Sequence, residues 1–135
     1  KNTLAAPPEK RVAKLTEGSP KAKKTAARLA AVQILYQMRL NNQDADSALR
    51  EFVNHRLGFK IEGDVYVPAD QELLDQIILG IQNRWMDIEE IIVAALSAGK
   101  KSEVEPLLDG ILRAGTYELL ENTATDTGII INDYM

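Results

Sequence analysis

From Pro20 to about Leu40 the apolar residues recur in steps of three and four: Ala27, Ala30, Ala31, Ile34, Leu35 and Met38. That period puts them on one face of an α-helix, with Val32, Tyr36 and Leu40 flanking the stripe. Ser19 suits the N-cap, Pro20 the first helical position, and Asn41-Asn42 the stop. A second helix is predicted after Asp46 as its cap, with Leu49, Phe52, Val53 and Leu57 on one face and Gly58 at its end. Residues 58–68 hold Gly58, Gly63 and Pro68 around Val65-Tyr66-Val67, too short a β-prone run to predict a sheet. Asp70 opens a third helix with Leu73, Leu74, Ile77, Ile78 and Ile81 inward. Asp87 and Glu90 have capping-box spacing and predict a fourth helix or a kinked continuation carrying Ile88, Ile91, Ile92, Ala95 and Leu96. Gly99 is its expected C′ residue, and Lys100 and Lys101 lie beyond this negative helix end. Pro106 opens a fifth helix with a stripe of Leu108, Ile111, Leu112, Gly115 and Leu119. Gly115 is costly in a helix interior, and close approach of a neighbouring helix would offset that cost. Asp126 or Thr127 caps a sixth helix that is still in mid-pattern at Met135, so a further C-terminal portion is expected.

These elements predict an all-α protein. The length of 135 residues and 45% hydrophobic composition suit one compact helical domain, residues 20–135, with residues 1–19 as a flexible basic arm. The arm contains Pro7, Pro8, Gly18 and Ser19, and the chain starts at Lys1-Asn2-Thr3 without Met, which is read as trimming. No sustained heptad run or internal repeat is visible.

The net charge of −4 conceals a strong asymmetry. Residues 1–40 hold nine Lys/Arg against Glu9 and Glu17, a balance of +7, while residues 41–135 stand at −11. A basic arm on an acidic body is a pattern for polyanion contact confined to one face. Lys21, Lys23, Lys24 and Arg28 sit on or beside the first turns of the first helix, where side-chain charge adds to free backbone N–H groups. Phosphate contacts of this kind supply affinity; base choice in single-stranded RNA needs stacking and edge contacts, for which Gln33, Tyr36 and Gln37 are the nearest candidates. For Tyr36 the competing reading is a core position with its hydroxyl at the rim.

Other chemistries find no support. There is no Cys and one His, His55, so neither a disulfide nor a usual zinc site can form, and no cofactor is expected. No G-x-G-x-x-G or Walker loop is present. Glu89-Glu90 and Glu103/Glu105 lack the shared cleft an acid–base pair needs and read as solvated helix surface. No apolar run approaches the ~20 residues of a membrane span, and no signal peptide is evident. The chain reads as non-enzymatic and cytoplasmic.

Three blocks carry a resemblance. Lys24-Thr-Ala-Ala-Arg28-Leu-Ala-Ala31-Val32-Gln33-Ile34-Leu35-Tyr36 resembles the opening helix of the NusB family: basic residues followed by Ala-Val-Gln-x-Leu-Tyr. Ile111-Leu112-Arg113-Ala114-Gly115-Thr116-Tyr117-Glu118-Leu119 is similar to a second family signature, aliphatic-Leu-Arg-x-x-x-Tyr-Glu-Leu. Ile130-Ile131-Asn132-Asp133 resembles the aliphatic-Ile-Asn-Glu segment, with Asp for Glu. The blocks occur in family order and cover about residues 20–135. The resemblance implies two small helical bundles, about 20–68 and 69–135, with Arg113, Tyr117 and Glu118 as scaffold that pairs or caps across helices. It also implies binding of boxA RNA from ribosomal RNA operon leaders together with the ribosomal protein NusE, in a complex that makes RNA polymerase resist termination. On that likeness Lys23, Lys24 and Arg28 match the basic RNA-binding motif, and Gln33 and Tyr36 its neighbours. Some family members are homodimers in which the RNA surface is hidden. This chain departs from the family pattern in being Lys-rich where the motif is often Arg-rich, and in ending before a Phe-Val-Asn-Gly-type block that faces RNA. Two other readings exist: a NusB-like accessory domain of a ribosomal RNA cytosine-5 methyltransferase, and a helical protein-interaction module using the third and fourth helices.

Overall fold

The computed structural model describes residues 19–55, 59–62, 65–96 and 105–134. Six helices are found among them: α1 (Pro20–Asn41), α2 (Ala45–His55), α3 (Gln71–Asn83), α4 (Trp85–Ala95), α5 (Pro106–Glu121) and α6 (Thr127–Tyr134). The all-α expectation holds, with one addition. Residues of the 58–68 connection form an antiparallel ribbon of β1 (Phe59–Glu62) and β2 (Val65–Val67), with a bulge between Lys60 and Glu62. The arm, Leu57, Gly58, Gly99, Lys100, Lys101 and Glu103 lie outside the described residues.

Local chemistry sets most helix limits. The Ser19 hydroxyl accepts from the Ala22 N–H at 3.1 Å, and Pro20 starts α1. Asn42 ends it in the left-handed conformation, φ 54°, with its N–H on the Met38 carbonyl. The cap of α2 is Asp44, not Asp46, because the Asp44 carboxylate accepts from Ser47 N–H at 2.7 Å while Asp46 sits inside the first turn. Asp70 caps α3 as expected, accepting from Leu73 N–H at 3.1 Å. The Asp87 capping box does not form. A one-residue break at Arg84 starts α4 at Trp85, so Asp87 lies within its first turn. There it pairs with the Arg84 guanidinium. The Asp126 carboxylate accepts from Gly128 N–H at 2.8 Å at the start of α6.

One continuous core runs through the helices and across the boundary expected near residue 68. The α1 stripe is buried as predicted, Met38 partly so, and the five apolar residues of α3 are all inside. On α4 only Ile88 and Ile92 are buried, while Ile91 is exposed. The α3 stripe is spent on the protein's own core, which counts against the third-helix half of the interaction-module reading, whereas the α4 stripe is buried only in part.

Helix α5 corrects the sequence reading most. Its inward face is not the leucine stripe but Asp109, Gly110, Arg113, Ala114 and Glu118. Leu108 and Leu119 are exposed, and Ile111 and Leu112 only border the core. Apart from Leu108, the stripe instead lines an apolar groove shared with Ile130, Ile131 and Tyr134 of α6. The close helix approach also falls elsewhere than expected. A Cβ at Gly115 would make ordinary 3.7 Å contact with the Tyr134 ring. At Gly110 it would lie 3.3 Å from the Val32 carbonyl, and at Gly80 it would overlap the Tyr117 ring.

These sites predict opposite signs for one substitution. Gly115→Ala should stabilise by up to about 1 kcal/mol through helix propensity. Gly80→Ala should lose stability, because the Tyr117 ring must leave its place. Urea denaturation midpoints of the two variants check this; a shift in the same direction for both would contradict the packing described.

Candidate nucleic-acid interface

The residues predicted to bind RNA do not form one cluster. Arg28 is withdrawn from the set. Its side chain is 2% exposed and its guanidinium is committed to carboxylates: Nε to Glu118 Oε2 at 2.7 Å, Nη2 to Glu118 Oε1 at 3.0 Å, and Nη1 to Asp133 Oδ2 at 3.0 Å. Glu118 is fully buried and saturated, also accepting from the Tyr134 hydroxyl at 2.6 Å and Asn122 Nδ2 at 2.8 Å. Thr25 donates to the same Asp133 oxygen at 2.9 Å. The physical reason is the cost of burying charge: a guanidinium inside the protein needs carboxylates around its planar fork, and here α5 and α6 provide them.

The ionisation states follow the same geometry. Burial opposes the charge on Glu118, but hydrogen bonds from Arg28, Tyr134 and Asn122 hold its pKa below the ordinary carboxylate value. Burial likewise opposes charge on Arg28, and Glu118 and Asp133 outweigh it, so its pKa is raised. Burial and then the Glu118 charge push the Tyr134 phenol far above its usual range, so it stays protonated and donates to Glu118.

Lys21 and Lys24 behave differently. Both are exposed and form no ion pair with any described residue. They line an open cleft of about 290 Å³ whose other wall is Ala124, Thr125, Asp126 and Ile129, from the α5–α6 connection and the start of α6. Arg28 reaches this cleft only at its floor. Lys23 points elsewhere. At 100° per residue it lies roughly 160° around α1 from Lys21, is half-buried, and its carbonyl accepts from the Asp70 N–H at 3.0 Å. Gln33 and Tyr36 are exposed on a common side of α1, roughly 13–22 Å along its axis from the lysines at 1.5 Å per residue. Tyr36 is thus a surface side chain, 38% exposed, and not the core position the competing reading offered. Gln37 is engaged with Gln43 and Glu51.

A family model described as the NusB family matches residues 25–135. The chain belongs to the NusB family. Among its relatives, the transcription antitermination protein NusB of Sphingopyxis alaskensis is 37% identical over 113 residues, 83% of this chain and 76% of that one. The corresponding protein of Bradyrhizobium diazoefficiens is 35% identical over 127 residues, 93% of this chain and 76% of that one. That of Rhodopseudomonas palustris is 33% identical over 121 residues, 88% of this chain and 72% of that one. These relatives are named for a role in transcription and not for a catalysed reaction, in keeping with the non-enzymatic reading. No helix among the described residues is long and apolar enough to cross a membrane.

Membership gives the signature residues their place in this NusB-family chain. Arg113 donates to Asp109 at 2.8 Å and to Glu89 at 2.5 Å, and its guanidinium carbon lies 4.0 Å from the Trp85 ring centroid. Its Nη1 has no hydrogen-bond partner among the described residues, and the negative face of the indole offsets that lack. Arg39 of α1 also pairs with Asp109, at 3.3 Å. The scaffold reading of Arg113 and Glu118 therefore holds, as two separate charge networks. Sequence reasoning missed Asp109, Thr125 and Asp133 as parts of this region; the one available signal was the i,i+4 spacing of Asp109 and Arg113.

Breaking the buried pair should be costly. Arg28→Met leaves Glu118 uncompensated and should destabilise by about 3–5 kcal/mol. The pH dependence follows from the lowered pKa of Glu118. The unfolded chain takes up this proton at higher pH than the folded one, so the contribution is full above the ordinary carboxylate range and is lost as pH falls through the folded value. Glu118→Gln should therefore flatten the acid limb of a thermal-stability profile below about pH 4.5, taking the ordinary carboxylate value as the upper limit. An unchanged acid limb would show that Glu118 does not carry it.

Proposed function

We propose that this chain is a cytoplasmic transcription antitermination factor that binds boxA RNA of ribosomal RNA operon leaders together with ribosomal protein NusE, within the antitermination complex of RNA polymerase. The observation that carries this reading is family membership across residues 25–135 combined with two lysines, unpaired among the described residues, that line one cleft. Lys21 and Lys24 supply phosphate contacts, and the basic residues of the arm, contiguous in sequence with them, extend the positive field. Asp126 in the same cleft carries the opposite charge, so binding depends on where the phosphates lie and not on a uniform positive surface. Gln33 and Tyr36, farther along α1, present an edge donor–acceptor and a ring to bases of the same strand. The relatives named as antitermination proteins are covered over about three quarters of their length, which favours this reading over the methyltransferase accessory domain.

The test is a titration of the full chain with single-stranded boxA RNA and a scrambled control, with and without NusE, at several salt concentrations. Affinity should fall steeply with salt. The double variant Lys21→Ala/Lys24→Ala should reduce the slope of log K against log salt by roughly 0.7 per lost phosphate contact. Equal affinity for the scrambled RNA together with an unchanged slope in the double variant would remove the proposal.

A further inference from the structure

Arg28 lies between the two functional lysines and the buried network, and it touches solvent almost nowhere. Its three carboxylate bonds reach two different helices, α5 through Glu118 and α6 through Asp133. Those helices are joined by the connection that forms the far wall of the lysine cleft. The near wall is the first turns of α1, which carry Lys21, Lys24, Thr25 and Arg28. Asp133 therefore receives two bonds from the lysine-bearing segment, from Thr25 at 2.9 Å and from Arg28, three residues later on α1, at 3.0 Å. Asn122, the first residue of the far wall's connection, is held by the same Glu118 that grips Arg28. Both walls are thus tied to one guanidinium.

We infer that Arg28, acting through Asp133 and Glu118, is a positioning residue for RNA binding and not a phosphate ligand: it sets the separation between the lysines of α1 and the 122–126 connection. This rests on the RNA-binding reading above. The allocation of donors supports it, since Nε, Nη1 and Nη2 are all spent on protein oxygens and a phosphate would have to displace a carboxylate from a buried site. Charge points the same way. The buried group of Arg28, Glu118 and Asp133 carries one positive and two negative charges and offers a polyanion no net attraction.

Asp133→Ala gives a test with a sign, because it removes both the charge and the oxygen that accepts from Thr25 and Arg28. Asp133 is near the surface, and the substitution leaves the Arg28–Glu118 pair in place. If Asp133 acted only through its charge, removing a negative group beside the cleft would tighten RNA binding. If it holds the cleft walls, binding should weaken, by several-fold, with the salt slope unchanged because no phosphate contact is lost. The measurement is fluorescence anisotropy of a labelled single-stranded boxA RNA with the full chain, the Asp133→Ala and Arg28→Lys variants, and Lys24→Ala as the phosphate-contact reference. Amide NMR shifts of the free proteins at residues 21–25 and 122–126 report the wall positions directly and confirm folding. Expected are weaker binding at constant slope for both network variants and shift changes on both walls. Binding as tight as or tighter than that of the unmodified chain for Asp133→Ala, or a slope reduced for Arg28→Lys as much as for Lys24→Ala, would overturn the positioning role while leaving RNA binding intact. No binding by the unmodified chain would overturn both.

Discussion

The bond between Arg28 and Glu118 is the constraint on which the rest of the arrangement depends. An ion pair that deep repays its desolvation only when the geometry is good and the remaining lone pairs are satisfied. Both conditions are met: two parallel bonds join the groups, and Tyr134 and Asn122 fill the other acceptor sites of the carboxylate. Since the partners come from α1 and α5, and Asp133 and Tyr134 from α6, no one of these helices can slide along another without stranding a buried charge. The network contributes less through attraction than through the penalty attached to every other arrangement.

Helix α5 shows how far such a constraint can override hydrophobic patterning. Its inner face carries Asp109, Arg113 and Glu118, and its leucines look outward or into the groove against α6. Two charge networks are spaced along that face. One joins Arg39, Asp109, Arg113, Glu89 and Trp85 at the N-terminal part; the other joins Arg28, Glu118, Asp133 and Tyr134 at the C-terminal part. Small residues between them, Gly110 and Ala114, let α1 approach closely enough for the charged side chains to span the interface.

The positive charge of the N-terminal region divides by residue type. Arg28 and Arg39 are taken up by carboxylates of the acidic body, whereas Lys21 and Lys24 remain available. The chemistry of the two side chains accounts for this. A planar fork with several donors can be satisfied by two carboxylates at once, while an ammonium on a flexible stem keeps its hydration at the surface. A count of +7 over residues 1–40 cannot separate these roles, because it treats a buried structural charge and a solvated one alike.

Periodicity and capping chemistry by themselves determined the helices, since both are local: Ser19-Pro20, Asp70 and Pro106 act on backbone groups within one turn, and the stripes of α1 and α3 have no competing face. Local signals were weaker where two caps competed, as at Asp44 and Asp46, or where a one-residue helix break set the start, as at Arg84. The family blocks were legible as strings, and their residues proved to be the points where helices meet. Which face of α5 turns inward, whether Tyr36 is exposed, and whether Arg28 is solvated or buried in an ion pair were decided only by tertiary structure. Burial of a charge depends on partners about 90 and 105 residues away along the chain, and no spacing rule within a single helix encodes them.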